Sequence, residues 1–196
     1  MTRVLTNTEL ALLSLVMERE MHGYEMERLI EERGMRNWTQ VGFSSIYYVL
    51  RKLEQAGLVA SRLEKAPGQG PARRLYAPTG RGQEAYATNL VRALSEPERP
   101  HPLFLQGLAG LPSMSPAEAA ACLPRYVAGL EARLDEIRAA EGPGTPFHVA
   151  AMFSHARCLI EAERDWVLGF GAQLEALAKS EARAKEEDEH ARHRGF

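Results

Sequence analysis

One stretch constrains the fold of this chain more than any other, residues 43–58, which read FSSIYYVLRKLEQAGL. Its apolar side chains recur at spacings of three and four, and this pattern predicts a helix that buries one face in a core. A serine near its start is a good N-cap, and Gly57 stands where a left-handed residue commonly ends a helix. The residues of the predicted buried face are Ile46, Val49, Leu50 and Leu53.

The other face of this predicted helix is polar, aromatic and basic, and no acid precedes Glu54 within it. Hydroxyl groups and the positive end of the helix dipole come first, and tyrosines and cations follow. This order suits contact with phosphates and with the major groove of DNA, so we interpret the stretch as a recognition helix. The predicted contact residues are Ser44, Ser45, Tyr47, Tyr48, Arg51 and Lys52.

Two shorter helices are predicted upstream of the recognition helix. Thr6 and Glu9 have the spacing of a capping box, which predicts a first helix that runs to about Arg19. A second helix is predicted at residues 24–33, after a break at residues 22–23, and its glutamates are interpreted as a solvated face. Three helices of this length predict a helix-turn-helix arrangement. The glutamates of that face are Glu25, Glu27, Glu31 and Glu32.

A β-hairpin is predicted directly after the recognition helix. Residues 58–63 and 72–77 have strand character, and the Pro/Gly-rich sequence EKAPGQGP joins them at residues 64–71. Cations on the loop and its flanks could lie along a phosphate backbone, as the wing of a winged helix does. These cations are Arg62, Lys65, Arg73 and Arg74.

Three motifs follow one another across residues 22–82. They are His22-Gly23-Tyr24-Glu25, then Ser44-Ser45-Ile46-Tyr47 with Leu50, Leu53, Glu54 and Gly57-Leu58, then Arg73-Arg74-Leu75-Tyr76 with Thr79 and Gly82. Together these motifs resemble the PadR family of transcriptional regulators. The resemblance implies a dimeric DNA-binding repressor whose winged helix precedes a helical dimerisation domain. It also implies that Tyr47 and the start of the third helix meet DNA, and that the Arg73-Arg74 strand supports the wing.

The sequence predicts two domains, a winged helix-turn-helix at residues 1–82 and a helical connector and dimerisation domain at residues 83–196. A connecting helix is predicted to end at about Ser95, before the proline-rich sequence SEPERPHP. Two long amphipathic helices then begin at Ser115-Pro116 and Thr145-Pro146. The last has an apolar stripe too long for a small domain to cover. We therefore expect a mainly α protein with a small β-hairpin wing, which forms a homodimer through its C-terminal helices.

Glu163 lies within the apolar stripe of the last helix, between Ile160 and Trp166. It could lie at the margin of the stripe or pair with an arginine. It could also anchor a small aromatic or cationic effector in an apolar cavity that serves as the second domain's ligand site. The arginines considered are Arg125, Arg133 and Arg157, and the cavity walls considered are Met152, Phe153, Trp166 and Phe170.

Other classes of function have little support in the sequence. No catalytic motif is present, so we predict that the protein is not an enzyme and has no cofactor. His155 and Cys158 stand three residues apart, which is a weak signal for a metal, and we predict none. Cys122 and Cys158 fall within helical patterns and are expected to be small buried side chains. No apolar run approaches a membrane span and no signal peptide is recognisable, so we expect a cytoplasmic protein that does not contact the membrane.

Charge leaves two functional hypotheses open. Residues 1–82 hold 12 Lys and Arg against 9 Asp and Glu, whereas residues 83–196 hold 12 against 17. The basic excess lies in the predicted DNA-binding domain but is small. One hypothesis is a dimeric repressor that binds double-stranded operator DNA and is released by a small-molecule effector. The alternative is a winged-helix module for protein interaction without DNA binding.

Overall fold

The structure is a computed structural model that describes residues 3–39, 41–42, 45–64 and 72–193. It divides into two compact units, Met1–Arg99 and Pro100–Phe196. In the first unit the elements in chain order are α1 (Asn7–Glu18), β1 (Met21–His22), α2 (Gly23–Glu32), a 3-10 turn (Met35–Asn37), α3 (Ser45–Gln55), β2 (Val59–Glu64), β3 (Arg73–Pro78) and α4 (Gly80–Ser95). In the second unit they are α5 (Leu103–Ala109), a 3-10 turn (Leu111–Ser113), α6 (Pro116–Ala140) and α7 (Phe147–His193).

The three strands form one antiparallel sheet in the order β1-β3-β2. The pair β2 and β3 is the predicted wing hairpin, in which Ser61 pairs with Tyr76. β1 was not predicted: the sequence was interpreted only as a break at residues 22–23, and Met21 was assigned to no element. Met21 of β1 pairs with the other edge of Tyr76, so the hairpin is anchored to the segment that leads into α2.

The helix ends follow local signals. At the start of α1 the Thr6 hydroxyl accepts the Glu9 N–H at 3.2 Å, and the Glu9 carboxylate accepts the Thr6 N–H at 2.9 Å, which confirms the predicted capping box. After α3, Gly57 has a φ of 69° and the Leu58 N–H donates to the Leu53 carbonyl at 2.9 Å. These are features of a Schellman ending, and they confirm the predicted end of the recognition helix.

The core of the first unit lies beneath α3. Ile46, Leu50 and Leu53 are 0% exposed and Val49 is 7% exposed, so the predicted buried face of α3 is confirmed. These side chains pack against buried residues of the surrounding helices and strands, which fixes the opposite face of α3 toward solvent. The partners in this core include Leu12, Leu13, Val16, Met21, Met26, Ile30 and Tyr76.

The second unit is built around α6 and α7, which pack against each other. α6 begins with the predicted capping box of Ser115 and Glu118, and it continues through Pro124 without a break. Cys122 and Cys158 are both exposed, contrary to the prediction of buried side chains, because neither is among the side chains that the two helices bury between them. The buried residues between the two helices are Val127, Leu130, Leu134, Ile160, Val167 and Leu174.

Candidate nucleic-acid interface

The exposed face of α3 carries the side chains that the sequence assigned to DNA contact. Tyr47 is 54% exposed and Tyr48 is 66% exposed, and Arg51 and Lys52 are also exposed. Ser45 is half-buried, and its hydroxyl donates to the Gly42 carbonyl at 2.7 Å at the start of the helix. Predicted Ser44 lies outside the described residues. The face is therefore aromatic in its first turn and cationic in its second.

Tyr47 rests against the start of α2. A Cβ atom on Gly23 would lie only 2.6 Å from the Tyr47 Cε1 atom, so the absence of a side chain on Gly23 makes room for the ring. Tyr47 also lines a groove of about 580 Å³ between α3 and β3. The other residues that line this groove are Arg51, Glu54, Gln55, Arg74 and Tyr76.

The wing strands supply further cations, each in contact with a neighbouring group. Arg62 forms an ion pair with Glu20 at 2.6 Å. The guanidinium of Arg73 lies 5.1 Å from the centre of the Tyr24 ring. Exposed contacts of this kind are weak and screened by salt, so a phosphate could replace them. Lys65 of the wing loop lies outside the described residues.

Arg74 joins the wing to the end of α3. Its guanidinium donates to the Ser61 hydroxyl at 2.8 Å and lies 3.7 Å from the Glu54 carboxylate, which also accepts from Ser61 at 2.5 Å. The Arg74 carbonyl lies 2.9 Å from Nδ1 of His22. The hairpin is thus connected to α3 on one side and to β1 on the other.

The two cations of α3 have different surroundings. The Lys52 ammonium lies 3.0 Å from the carboxylate of Glu9, which is 1% exposed. In the described part of the chain, no carboxylate forms an ion pair with Arg51, whose side chain lines the groove with Tyr47. The positive charge of Arg51 is therefore more available to an external anion than that of Lys52.

The contacts of Glu25 differ from those that the sequence predicted. It was assigned to a solvated face of the second helix, but its carboxylate accepts the His22 N–H at 2.7 Å and pairs with Arg19 at 3.2 Å. The N–H of His22 and the Arg19 charge together outweigh burial and lower the pKa of Glu25 below its ordinary value. The three-residue spacing is that of a capping box, a signal obscured because histidine is not a usual N-cap residue.

The predicted effector residues are only partly brought together. Glu163 accepts from the Tyr126 hydroxyl at 2.7 Å, and Arg157 pairs with Glu141 at 2.6 Å instead of with Glu163. Burial, followed by this bond to Glu163, raises the pKa of Tyr126 to about 12, so its phenol stays a neutral donor at physiological pH.

The Tyr126 ring is one of four rings in consecutive contact, which form what we name the aromatic cluster. Ring centres are 4.4 Å apart for Phe104 and Tyr126, 6.1 Å for Phe104 and Trp166, and 5.0 Å for Trp166 and Phe170. Phe104 of α5 and Tyr126 of α6 were not predicted. Phe153 lies ten residues before Glu163 on α7, which is about 15 Å along the helix axis, and Met152 lies further still, so these two predicted wall residues are not part of the cluster.

Within the described ranges, no cluster of three or more His, Cys, Asp or Glu side chains is placed to hold a metal ion. His155 and Cys158 are both exposed on α7. None of the helices in the described ranges is both long enough and apolar enough to cross a bilayer.

Comparison with solved structures finds the same architecture in several proteins. Bacillus subtilis PadR, solved in complex with operator DNA, is 20% identical, with a TM-score of 0.67 over 88% of this chain and 99% of that one. The same protein solved with p-coumaric acid gives a TM-score of 0.68 at 20% identity over 87% and 99%. The PadR-like regulator BC1756 from Bacillus cereus gives 0.59 at 17% identity over 89% and 99%. These likenesses confirm the predicted fold class.

Sequence comparison agrees with this result. No curated protein matches the chain significantly. Residues 12–88, which contain α3, the wing strands and the Gly23 contact with Tyr47, match the sequence profile of the Transcriptional regulator PadR-like family. The resemblance predicted from the sequence is confirmed: residues 12–88 of this chain are a domain of the Transcriptional regulator PadR-like family.

Proposed function

We propose that this regulator is a homodimeric repressor that binds double-stranded operator DNA through α3 and the wing, and that it acts by binding and not by catalysis. The observation that carries the proposal is the division of α3 into two faces. Its apolar face is buried in the core, whereas Tyr47, Tyr48 and Arg51 project outward beside the wing strands. Aromatic and cationic groups on a helix held in this way suit the major groove and its flanking phosphates. A protein with the same fold, Bacillus subtilis PadR, was solved bound to operator DNA.

One observation favours the alternative of a protein-interaction module. Arg62 and Arg74 are paired with carboxylates, so part of the positive charge of the wing is already neutralised within the chain. DNA binding through the remaining charge would be strongly dependent on salt, whereas a protein interface need not be. Salt dependence therefore distinguishes the two functions.

The first prediction concerns Arg51. We expect the chain to bind the DNA upstream of its own gene with an affinity that falls steeply with salt, because cations displace condensed counterions. Arg51→Met should reduce the slope of log Kd against log salt by about 0.9 for each bound chain. The matched control is Lys179→Met, which removes an exposed cation from α7 and should leave the slope unchanged.

Mobility shifts or fluorescence anisotropy between low and physiological salt measure these slopes. Absence of salt-dependent binding by the unsubstituted chain would favour the protein-interaction module.

We infer dimerisation from the apolar surface of α7. Met152 is 36% exposed, Leu159 is 59% exposed and Leu177 is 54% exposed. Their separations of 7 and 18 residues place them on one side of the helix, since both are close to whole numbers of turns. Burial of such a stripe contributes about 25 cal/mol per Å² of apolar surface. A second copy could cover it, and two winged helices related by a two-fold axis would read a pseudo-palindromic site.

We propose the aromatic cluster as the binding site of a small aromatic effector. Trp166 offers a half-exposed ring stacked on Phe170, and Glu163 supplies one carboxylate that is already bound to Tyr126 on one oxygen. Among the described residues no arginine or lysine pairs with Glu163, so a cationic group on the ligand would complete the site. Bacillus subtilis PadR, which shares the fold, was solved with the aromatic compound p-coumaric acid.

The second prediction tests this site. In a Trp38→Phe variant, Trp166 is the remaining tryptophan, because the chain has two. We expect its fluorescence to be quenched saturably by planar aromatic cations, and more weakly by aromatic anions of similar size. Glu163→Gln should weaken binding of the cations by roughly tenfold and leave the anions unaffected, as expected for loss of one partly buried charge contact. A lack of saturable quenching by cationic, neutral and anionic aromatic compounds would contradict the effector proposal.

A further inference from the structure

A buried carboxylate connects α1 to the recognition helix. The Glu9 side chain is 2% exposed, and one of its oxygens accepts the Thr6 N–H at 2.9 Å. The other oxygen lies 3.0 Å from the Lys52 ammonium and 2.5 Å from the Arg3 guanidinium. A carboxylate that is withdrawn from water is strongly unfavourable unless cations and hydrogen-bond donors replace the water. Lys52 and Arg3 supply those cations.

The segment that carries Arg3 is itself fixed from the opposite side by α4. Asn89, which is 5% exposed, accepts the Leu5 N–H at 2.9 Å through its amide oxygen. Its amide nitrogen donates to the Arg3 carbonyl at 3.0 Å and to the Ala85 carbonyl at 2.8 Å. Residues 3–6 therefore form a strap, held by Asn89 of α4 at one edge and by Glu9 at the other. The strap limits how far Arg3 and Glu9 can move away from Lys52.

The Glu9 carboxylate remains charged at neutral pH. Burial by itself would raise its pKa, but the Thr6 N–H, Lys52 and Arg3 together more than offset this, and the pKa of Glu9 lies below its ordinary value. The attraction for Lys52 is therefore always present near pH 7. If Lys52 turned toward a phosphate, it would leave the buried carboxylate with one cation fewer.

We propose that Glu9 is a positioning residue that holds the Lys52 ammonium against α1. Lys52 then fixes the recognition helix to α1, and Arg51 is the α3 cation that contacts phosphate. This revises the sequence assignment of Lys52 to direct DNA contact. The part that concerns phosphate rests on the proposed DNA binding, whereas the position of Lys52 does not.

The first arm of the third prediction needs no DNA. An amine-acylating reagent should modify Lys52 several-fold more slowly than the exposed Lys179 and Lys185 of the same chain, as followed by mass spectrometry. In Glu9→Gln the amide can still accept the Thr6 N–H but carries no charge. Modification of Lys52 should therefore become as fast as that of the two reference lysines. A Lys52 that reacts in the unsubstituted chain as fast as the reference lysines would overturn the proposal.

The second arm uses the salt dependence of DNA binding. Lys52→Met should leave the slope of log Kd against log salt unchanged, whereas Arg51→Met reduces it. Glu9→Gln should increase the slope by about 0.9 for each chain, because the freed lysine can reach a phosphate, and Glu9→Gln with Lys52→Met should remove that increase. A slope in Lys52→Met that falls as far as in Arg51→Met would overturn the proposal.

The two arms separate failure of this inference from failure of DNA binding. If Glu9→Gln does not fold, as circular dichroism would show, the Lys52→Met slope and the labelling of the unsubstituted chain still decide the question. If the unsubstituted chain does not bind DNA, the proposed function fails, while the labelling arm alone still establishes or overturns the position of Lys52.

Discussion

Replacement of Gly82 by alanine should lower the free energy of unfolding of the first unit by about 3 kcal/mol or more, a large effect for one methyl group. A Cβ atom at this position would lie 2.0 Å from the Leu58 carbonyl oxygen and 3.0 Å from its carbon. Both are main-chain atoms, so no side-chain rotation can relieve the overlap. The Leu58 carbonyl is in turn fixed by the Thr79 N–H, which donates to it at 3.1 Å.

The stability of the first unit can be followed separately within the full chain. In a Trp166→Phe background the remaining Trp38 lies in that unit, and its fluorescence reports unfolding in urea. We expect Gly82→Ala to lower the midpoint without changing the dependence on urea concentration. Gly80→Ala is the matched control, since a Cβ atom there meets nothing within 4 Å, and stability should be unchanged or slightly higher. Equal midpoints for the two variants would contradict the prediction.

The position of Gly82 has a consequence for DNA binding. Leu58 follows directly on the Schellman ending of α3, and the Thr79 hydroxyl donates to the Gly57 carbonyl at 2.7 Å. The end of the recognition helix is thus held at the start of α4 through the main-chain carbonyls of Gly57 and Leu58. Displacement of this junction would change the orientation of α3 on the core. Gly82→Ala should therefore weaken DNA binding as well as lower stability.

Local patterns explain how much of this fold could be predicted from the sequence. The buried and exposed faces of α3 follow from its periodicity alone, and the capping boxes at Thr6 and Ser115 depend on residues only three apart. β1 could not be found in this way because two residues carry no periodicity. It becomes a strand only when Tyr76, more than fifty residues later, supplies its hydrogen-bonding partner.

The candidate sites show the same limit. The sequence selected Lys52 and Glu163 as functional residues but could not identify their partners, Glu9 and Tyr126, which lie about 40 residues away in the chain. Which pairs meet depends on how α1 packs against α3 and α6 against α7, and one sequence does not contain that information in its local pattern. The chemistry of each residue could be predicted, whereas its electrostatic environment required the structure.

The second large effect is expected at the exposed stripe of α7. If Leu177, which is 54% exposed, is covered by a second copy, Leu177→Ala removes apolar contact twice in each dimer. The dimer should then be weakened by about 2–4 kcal/mol, or roughly 30- to 1,000-fold in its dissociation constant. Sedimentation of the full chain over a range of concentrations measures this constant.

Leu168 provides the matched control for this experiment. It is 53% exposed, nearly the same as Leu177, but it lies nine residues earlier on α7. Nine residues are about two and a half turns, so Leu168 faces the opposite side of the helix. Leu168→Ala should therefore leave the dissociation constant unchanged, since it removes the same number of atoms from a face outside the proposed interface. Equal weakening by the two variants would show that the stripe is not the interface, and a monomer at every concentration would contradict the homodimer itself.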